Sequence, residues 1–240
     1  MRSGVTFLIL LFTLIVCTVH ADASSLLDTL LQSKPSVAPA KDNGSIGAGL
    51  KEALAVGTEN AVKKVSAPDG YFGNQLIRIL MPEKLRKIAD TLSMVGYKKE
   101  VDEFVLSMNR AAEKAAPKAA PIFGDAIRQM SIDDARKILA GGNTAATDFF
   151  KEKTTPQLTT EFKPIISKSL DDAGATHAYK NMIGKADNVP FLKKESLDLD
   201  GYVTGKALDG LFTVVGQEEK LIRTDPAARV TDLLRSTFGH

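Results

Sequence analysis

Tryptophan is missing from this 240-residue chain, cysteine occurs once and histidine three times. The single thiol, Cys17, lies inside an N-terminal apolar run, so the rest of the chain has no disulfide, no thiol nucleophile and no thiolate ligand. With only His177 and His240 beyond that run, no zinc or iron constellation assembles, and neither metal nor cofactor is expected. The catalytic patterns G-x-S-x-G, Ser-x-x-Lys and G-x-x-x-x-G-K do not occur, and no catalytic residue is assigned. Charge of one sign is lacking too: 31 Lys and Arg face 29 Asp and Glu, a balance that excludes a dedicated nucleic-acid binder. Aromatic residues make up 6%, too few for a sugar-stacking or cation-cage surface.

The first residues, "MRSGVTFLILLFTLIVCTVHADA", carry one charge at Arg2, an apolar run from Val5 to Val19, and small residues at its end. This is the pattern of a secretory signal peptide, with cleavage expected after Ala21 and a periplasmic or otherwise exported product. The run is shorter than the roughly 20 residues of a membrane span, so no transmembrane helix is expected after cleavage. The competing reading makes Cys17 a lipid-attachment site, which Val16 disfavours because such sites want a small residue there. Loss of Arg2 with the signal leaves a mature charge near neutrality.

Residues 22–44 hold a short amphipathic piece, "SLLDTLLQ", and a Pro-, Ser- and charge-rich linker. From Ser45 to Gly239 apolar residues recur at three- and four-residue steps, and the expected fold is mainly α: a single-domain multi-helix bundle with at most a small two-stranded β element. That element would pair "QLIRILMP" with "ESLDLDGY". Asp69-Gly70 is turn chemistry after a first helix in which Gly57 sits on the apolar face and implies close helix packing. Further helices are expected at Pro82 to Met94, Tyr97 to Ala116 and around Ile122 to Met130. Ser131 and Asp134 form a capping box for a helix that buries Ile132, Ala135, Ile138 and Leu139. Thr155-Pro156 should open a new helix that Pro164 kinks and Gly174 ends. Val203 to Ile222 has apolar residues over half its circumference and should lie centrally, with Asp200 as its cap.

The strings "GLKEAL", "APDGYFGN", "MNRAAEKAAP", "GGNTAATDFF", "VTGKALDGLF" and "DPAARVTDLLRSTFG" are similar to those of a bacterial exported family known as domain of unknown function 4197. The likeness runs over almost all of Ser45 to Gly239. It implies an exported, mostly helical protein, and it implies no activity, substrate or catalytic residue.

Two readings of "GGNTAATDFF" stay open. Gly141 and Gly142 allow positive φ and Asn143 or Thr144 can cap a helix, which makes a corner. The same amides, with Thr144, Thr147 and a base such as Lys151 or Arg110, can instead hold an anion. Asp209 and Lys206 suit an exposed ion pair on the polar face of the last long helix, and Arg110 points away from its own apolar stripe; these polar faces either meet solvent or form a second interface. The paired acids Asp133-Asp134, Asp171-Asp172 and Glu218-Glu219 read as helix-end or face charges. Asp198, Asp200 and Asp209 have the first, third and twelfth places of a calcium loop, but Val203 stands where its glycine belongs. The function expected is a non-catalytic envelope protein that binds or scaffolds a partner, either an envelope protein or a small apolar or anionic ligand. The alternatives are a carrier of lipid or another apolar ligand, and an Asp- or Thr-based hydrolase.

Overall fold

The long helix Leu199–Thr224 is the hub of the fold, because its apolar side chains face neighbours on nearly all sides: Val203, Ala207, Leu211, Val214 and Val215 are all buried. In the computed structural model, residues 43–175, 177, 179–180 and 198–225 are described, with side chains from 47 onward. The helices are α1 (Asn43–Ser66), α2 (Glu83–Leu92), α3 (Lys98–Ala115), α4 (Ala119–Gln129), α5 (Ile132–Ala140), α6 (Ala145–Asp172) and α7 (Leu199–Thr224). α7 packs on α1, α3 and α6, and α4 closes the bundle against α1 and α6. Rings from three helices meet at the centre, Phe123 lying 5.0 Å from Phe150 and 6.2 Å from Phe212. Such tilted pairs fill the core and add roughly 0.5–1.5 kcal/mol each beyond area burial.

Several local expectations hold for the reasons given by the residues. Gly57 lets α1 approach α7, since a Cβ there would stand 3.3 Å from Ile222 Cδ1. At the start of α5 the Ser131 hydroxyl accepts from the Asp134 N–H, and the Asp134 carboxylate accepts from both the Ser131 amide and hydroxyl. Those bonds from Ser131 hold the Asp134 carboxyl below its ordinary value. Gly174, at φ +69°, terminates α6 in the left-handed conformation. Asp69 also takes positive φ, at 62°, in the turn after α1.

Other expectations are corrected. Among the described residues there is no strand, and 75–82 forms a turn and an irregular run instead. α6 is one continuous helix through Pro156 and Pro164, not two, because both prolines sit on its exposed face, where carbonyls deprived of an N–H can meet water. The cap of α7 is Asp198, whose carboxylate accepts from Gly201 N, not Asp200. Ile132 is exposed, in the first position of α5 and one turn ahead of the buried Ala135 and Ile138. The strand partner expected in "ESLDLDGY" is helical from Leu199 on, as the first turn of α7; its first three residues, the signal segment with Cys17, most of the linker and the end of the chain lie outside the described residues.

Gly141 closes α5 at φ −81°, so positive φ is not why glycine is there. The reason is space: a Cβ would lie 2.5 Å from Ala145 Cβ and 2.9 Å from the Lys137 carbonyl, whereas one on Gly142 would meet nothing within 4 Å. Gly141→Val should therefore cost about 1–3 kcal/mol by overpacking. Gly142→Ala should be neutral or stabilise by up to about 1 kcal/mol through the unfolded chain. Urea titration of both variants checks this, and equal losses would refute the steric account.

Candidate binding groove

The residues that build the groove begin at the turn after α1. Gly70 packs against that helix end, leaving only 2.4 Å between a Cβ and the Lys64 carbonyl. The chain that leaves the turn is held from α3. Glu113 Oε1 accepts the amides of Tyr71 (3.1 Å) and Phe72 (3.3 Å), while Arg110 bridges Glu113 Oε2 (2.6 Å) and Asp69 Oδ1 (2.7 Å). Its hydrogen bond to Glu113 raises the Arg110 pKa further, so this cation stays charged. Tyr71 is fully buried and donates to the Ala207 carbonyl of α7 at 2.6 Å. Gly210, one turn on, makes room for its ring, since a Cβ would stand 2.6 Å from Tyr71 Cε1.

Farther along, the buried Asn109 behaves as a partner strand of a single residue. Its Oδ1 accepts from Ile79 N and its Nδ2 donates to Ile79 O, both at 2.8 Å, with a second donation to Val105 O. One amide reaches both groups of one residue only when they point the same way, as in extended chain. The side chains alternate accordingly: Ile77 and Ile79 are buried, while Leu76, Arg78 and Leu80 face outward. The alternation read in "QLIRILMP" is thus present without a sheet.

Between this run, α2 and α7 lies an open groove of about 430 Å³, lined among others by Leu76, Arg78, Leu80, Arg86, Tyr202 and Asp209. Lys206 and Thr213 complete its α7 wall. Tyr202 crosses the top, donating to the Leu80 carbonyl at 3.0 Å, and burial raises its pKa. Arg86 pairs with Glu83 at 2.5 Å and Lys206 with Asp209 at 3.6 Å. Arg78 has no carboxylate partner among the described residues; its guanidinium rests 4.0 Å above the Phe72 ring. Leu76 and Leu80, 74% and 56% exposed, supply apolar surface beside these cations.

The other sequence-marked residues lie elsewhere. Arg110 serves the Asp69 turn, and of the residues marked in the sequence only Lys206 and Asp209 line the groove. Asn143 is exposed, Thr144 donates to Asp148 at 3.1 Å instead of capping α6, and Thr147 is buried. The amides at the start of α6 already receive a carboxylate, that of Glu219 from α7. Ala146 N and Arg223 Nη2 reach its Oε1 at 3.0 Å, and Thr147 N and Oγ1 reach Oε2 at 2.9 and 2.8 Å. Its neighbour Glu218 takes Lys64 and Asn60 of α1. The reading of Glu218-Glu219 as face charges is corrected: both are buried, because α7 is wrapped on the sides where a surface helix would be wet. No cluster of three metal-ligating side chains occurs among the described residues, and no helix there is long and apolar enough to cross a membrane.

Asn109, Glu113, Arg78 and Tyr202 were not marked by sequence reasoning, and Glu219 was marked only as a face charge. The available signal was a polar residue inside an apolar stripe: Asn109 follows Met108 in "MNRAAEKAAP", where a buried amide demands partners.

Full burial raises the Tyr71 pKa far above the ordinary value of 10.0, so the folded protein keeps this hydroxyl neutral where the unfolded chain ionises it. The unfolded state then binds fewer protons, and stability falls as pH rises above about 10, by up to about 1.4 kcal/mol per pH unit for this one group. Tyr71→Phe should flatten that fall; an unchanged alkaline limb in urea titrations would contradict it.

A family model described as "Protein of unknown function (DUF4197)" matches residues 40–239. No curated protein and no solved structure matches the chain.

Proposed function

The chain belongs to this family of proteins of unknown function, and from that premise we propose that it is an exported, non-catalytic envelope protein that binds a partner in the groove beside Arg78. The observation that carries the reading is the company Arg78 keeps. It is a cation with no carboxylate among the described residues, at the edge of a groove whose other cations are paired, beside two leucines exposed to water. Four of the six large apolar side chains most exposed among the described residues, Leu76, Leu80, Met94 and Val95, fall between positions 76 and 95. Of these, Leu76 and Leu80 line the groove beside Arg78, and apolar surface next to such a cation suits a partner with apolar and acidic groups.

The alternatives draw less support. An apolar-ligand carrier needs an empty cavity, whereas Met108, Phe123, Phe150 and Phe212 are packed core. A hydrolase built on threonine would want an accessible hydroxyl, whereas Thr147 is buried and bonded to Glu219. Export rests on the N-terminal pattern: the intact mass of the protein from its own envelope should begin at Asp22, and an acylated Cys17 would overturn that reading.

The test is a photo-crosslinking residue at Leu76 in envelopes of the native host, with one at Ile132 as a control on another exposed surface. A discrete adduct from position 76, lost with Arg78→Glu, is expected. Equal labelling from both positions would refute the groove as the site.

A further inference from the structure

In an extended run the main-chain groups of successive residues point to opposite edges. Asn109 occupies one edge at Ile79, so the groups of Arg78 and Leu80 lie on the other. Two of these are taken: Arg78 N donates to Asn74 O at 2.8 Å, and Leu80 O accepts from Tyr202 Oη. The remaining two, Arg78 C=O and Leu80 N–H, make no hydrogen bond among the described residues. This pair flanks Ile79, and it is the pair that one residue of a parallel strand engages, donating its N–H to the first and accepting from the second.

We infer that the open edge of Arg78–Leu80 takes an extended, acidic and apolar segment of a partner protein as an added parallel strand, an inference that rests on the groove being the binding site. The occupant is set by the chemistry of the groove. A strand laid on this edge sends alternate side chains to the face that Leu76, Arg78 and Leu80 share, where an acidic group meets Arg78 beside the two leucines. The groove has three cations, Arg78, Arg86 and Lys206, against two carboxylates, Glu83 and Asp209, and each of those carboxylates already has a cation beside it. An acidic side chain meets Arg78 without displacing an existing pair; a basic one meets an uncompensated cation.

The probe is a short acetylated peptide of alternating glutamate and valine, with its lysine-for-glutamate counterpart as control. Binding is read by fluorescence anisotropy, and the Leu80 amide is followed by hydrogen exchange. The acidic peptide should bind saturably, slow exchange at Leu80 about tenfold or more, and leave Ile79, already bonded to Asn109, unchanged. Arg78→Glu should weaken binding about tenfold or more, and the lysine peptide should not bind.

Peptide binding without protection of Leu80 would overturn the added strand while leaving the groove as the site. Absence of peptide binding beside a positive crosslink at Leu76 would do the same. Protection of Leu80 by vesicles rich in phosphatidylglycerol, and not by the peptide, would overturn the peptide in favour of a lipid surface.

Discussion

Glu219→Ala is expected to cost about 3–5 kcal/mol of folding stability, the range for removing one partner of a buried ion pair. The alanine would strip the acceptor from two amides and a hydroxyl at the start of α6 and take the carboxylate from Arg223, whose side chain is only 14% exposed. The Ala146 and Thr147 amides lie in the buried contact between α6 and α7, where water does not replace the lost carboxylate. For a chain of this length the loss corresponds to a fall in melting temperature of about 10 °C. Glu218→Ala is the internal comparison, because Lys64 is 59% exposed and returns to solvent once its carboxylate is gone. That loss should be nearer 1 kcal/mol. Thermal melts of the two neighbours in one buffer decide the matter, and equal losses would show that the α6 amides are not energetically tied to Glu219.

Asn109→Leu should have the second largest effect, about 3 kcal/mol, since it leaves the N–H and C=O of buried Ile79 without partners at about 1–3 kcal/mol for each group. The side chain keeps its size, so the loss reports hydrogen bonding and not a cavity. The damage should also be local. Amide exchange at Ile79 should rise to the rate of an open loop while the centre of α7 stays slow. If exchange at Ile79 were unaltered, Asn109 would not be what holds the groove wall.

How far the residues announce this structure depends on the range of the interaction. The capping box of α5 lies within three residues, and Ser131 and Asp134 declare it. The central place of α7 is legible because its apolar residues cover too much of the circumference for a surface helix. The run 76–80 shows the opposite case. Its two-residue alternation is real, but a strand needs a neighbour, and the neighbour is one amide side chain 30 residues away. Local pattern cannot distinguish a sheet partner from Asn109. The anion-holding start of α6 has a similar history: the amides near Thr147 do hold a carboxylate, and it comes from Glu219, 72 residues on in the same chain. Adjacent acids looked like solvated charge because in sequence they have no surroundings; their burial is a property of α1, α6 and α7 together. Prolines 156 and 164 misled for a related reason, since whether a freed carbonyl is costly depends on which side of the helix faces water.

The stacking of Arg78 on Phe72 bears on the speed and entropy of association. An arginine free in water samples many rotamers, and fixing it on binding costs about 0.5–1.5 kcal/mol. A guanidinium already lying on a ring has surrendered much of that freedom before any partner arrives, while its rim N–H groups remain open to an anion. Phe72→Ala would then leave every groove charge in place and still weaken binding of an acidic segment. The deficit would appear as a less favourable entropy in calorimetry, with the salt dependence of the association rate unchanged.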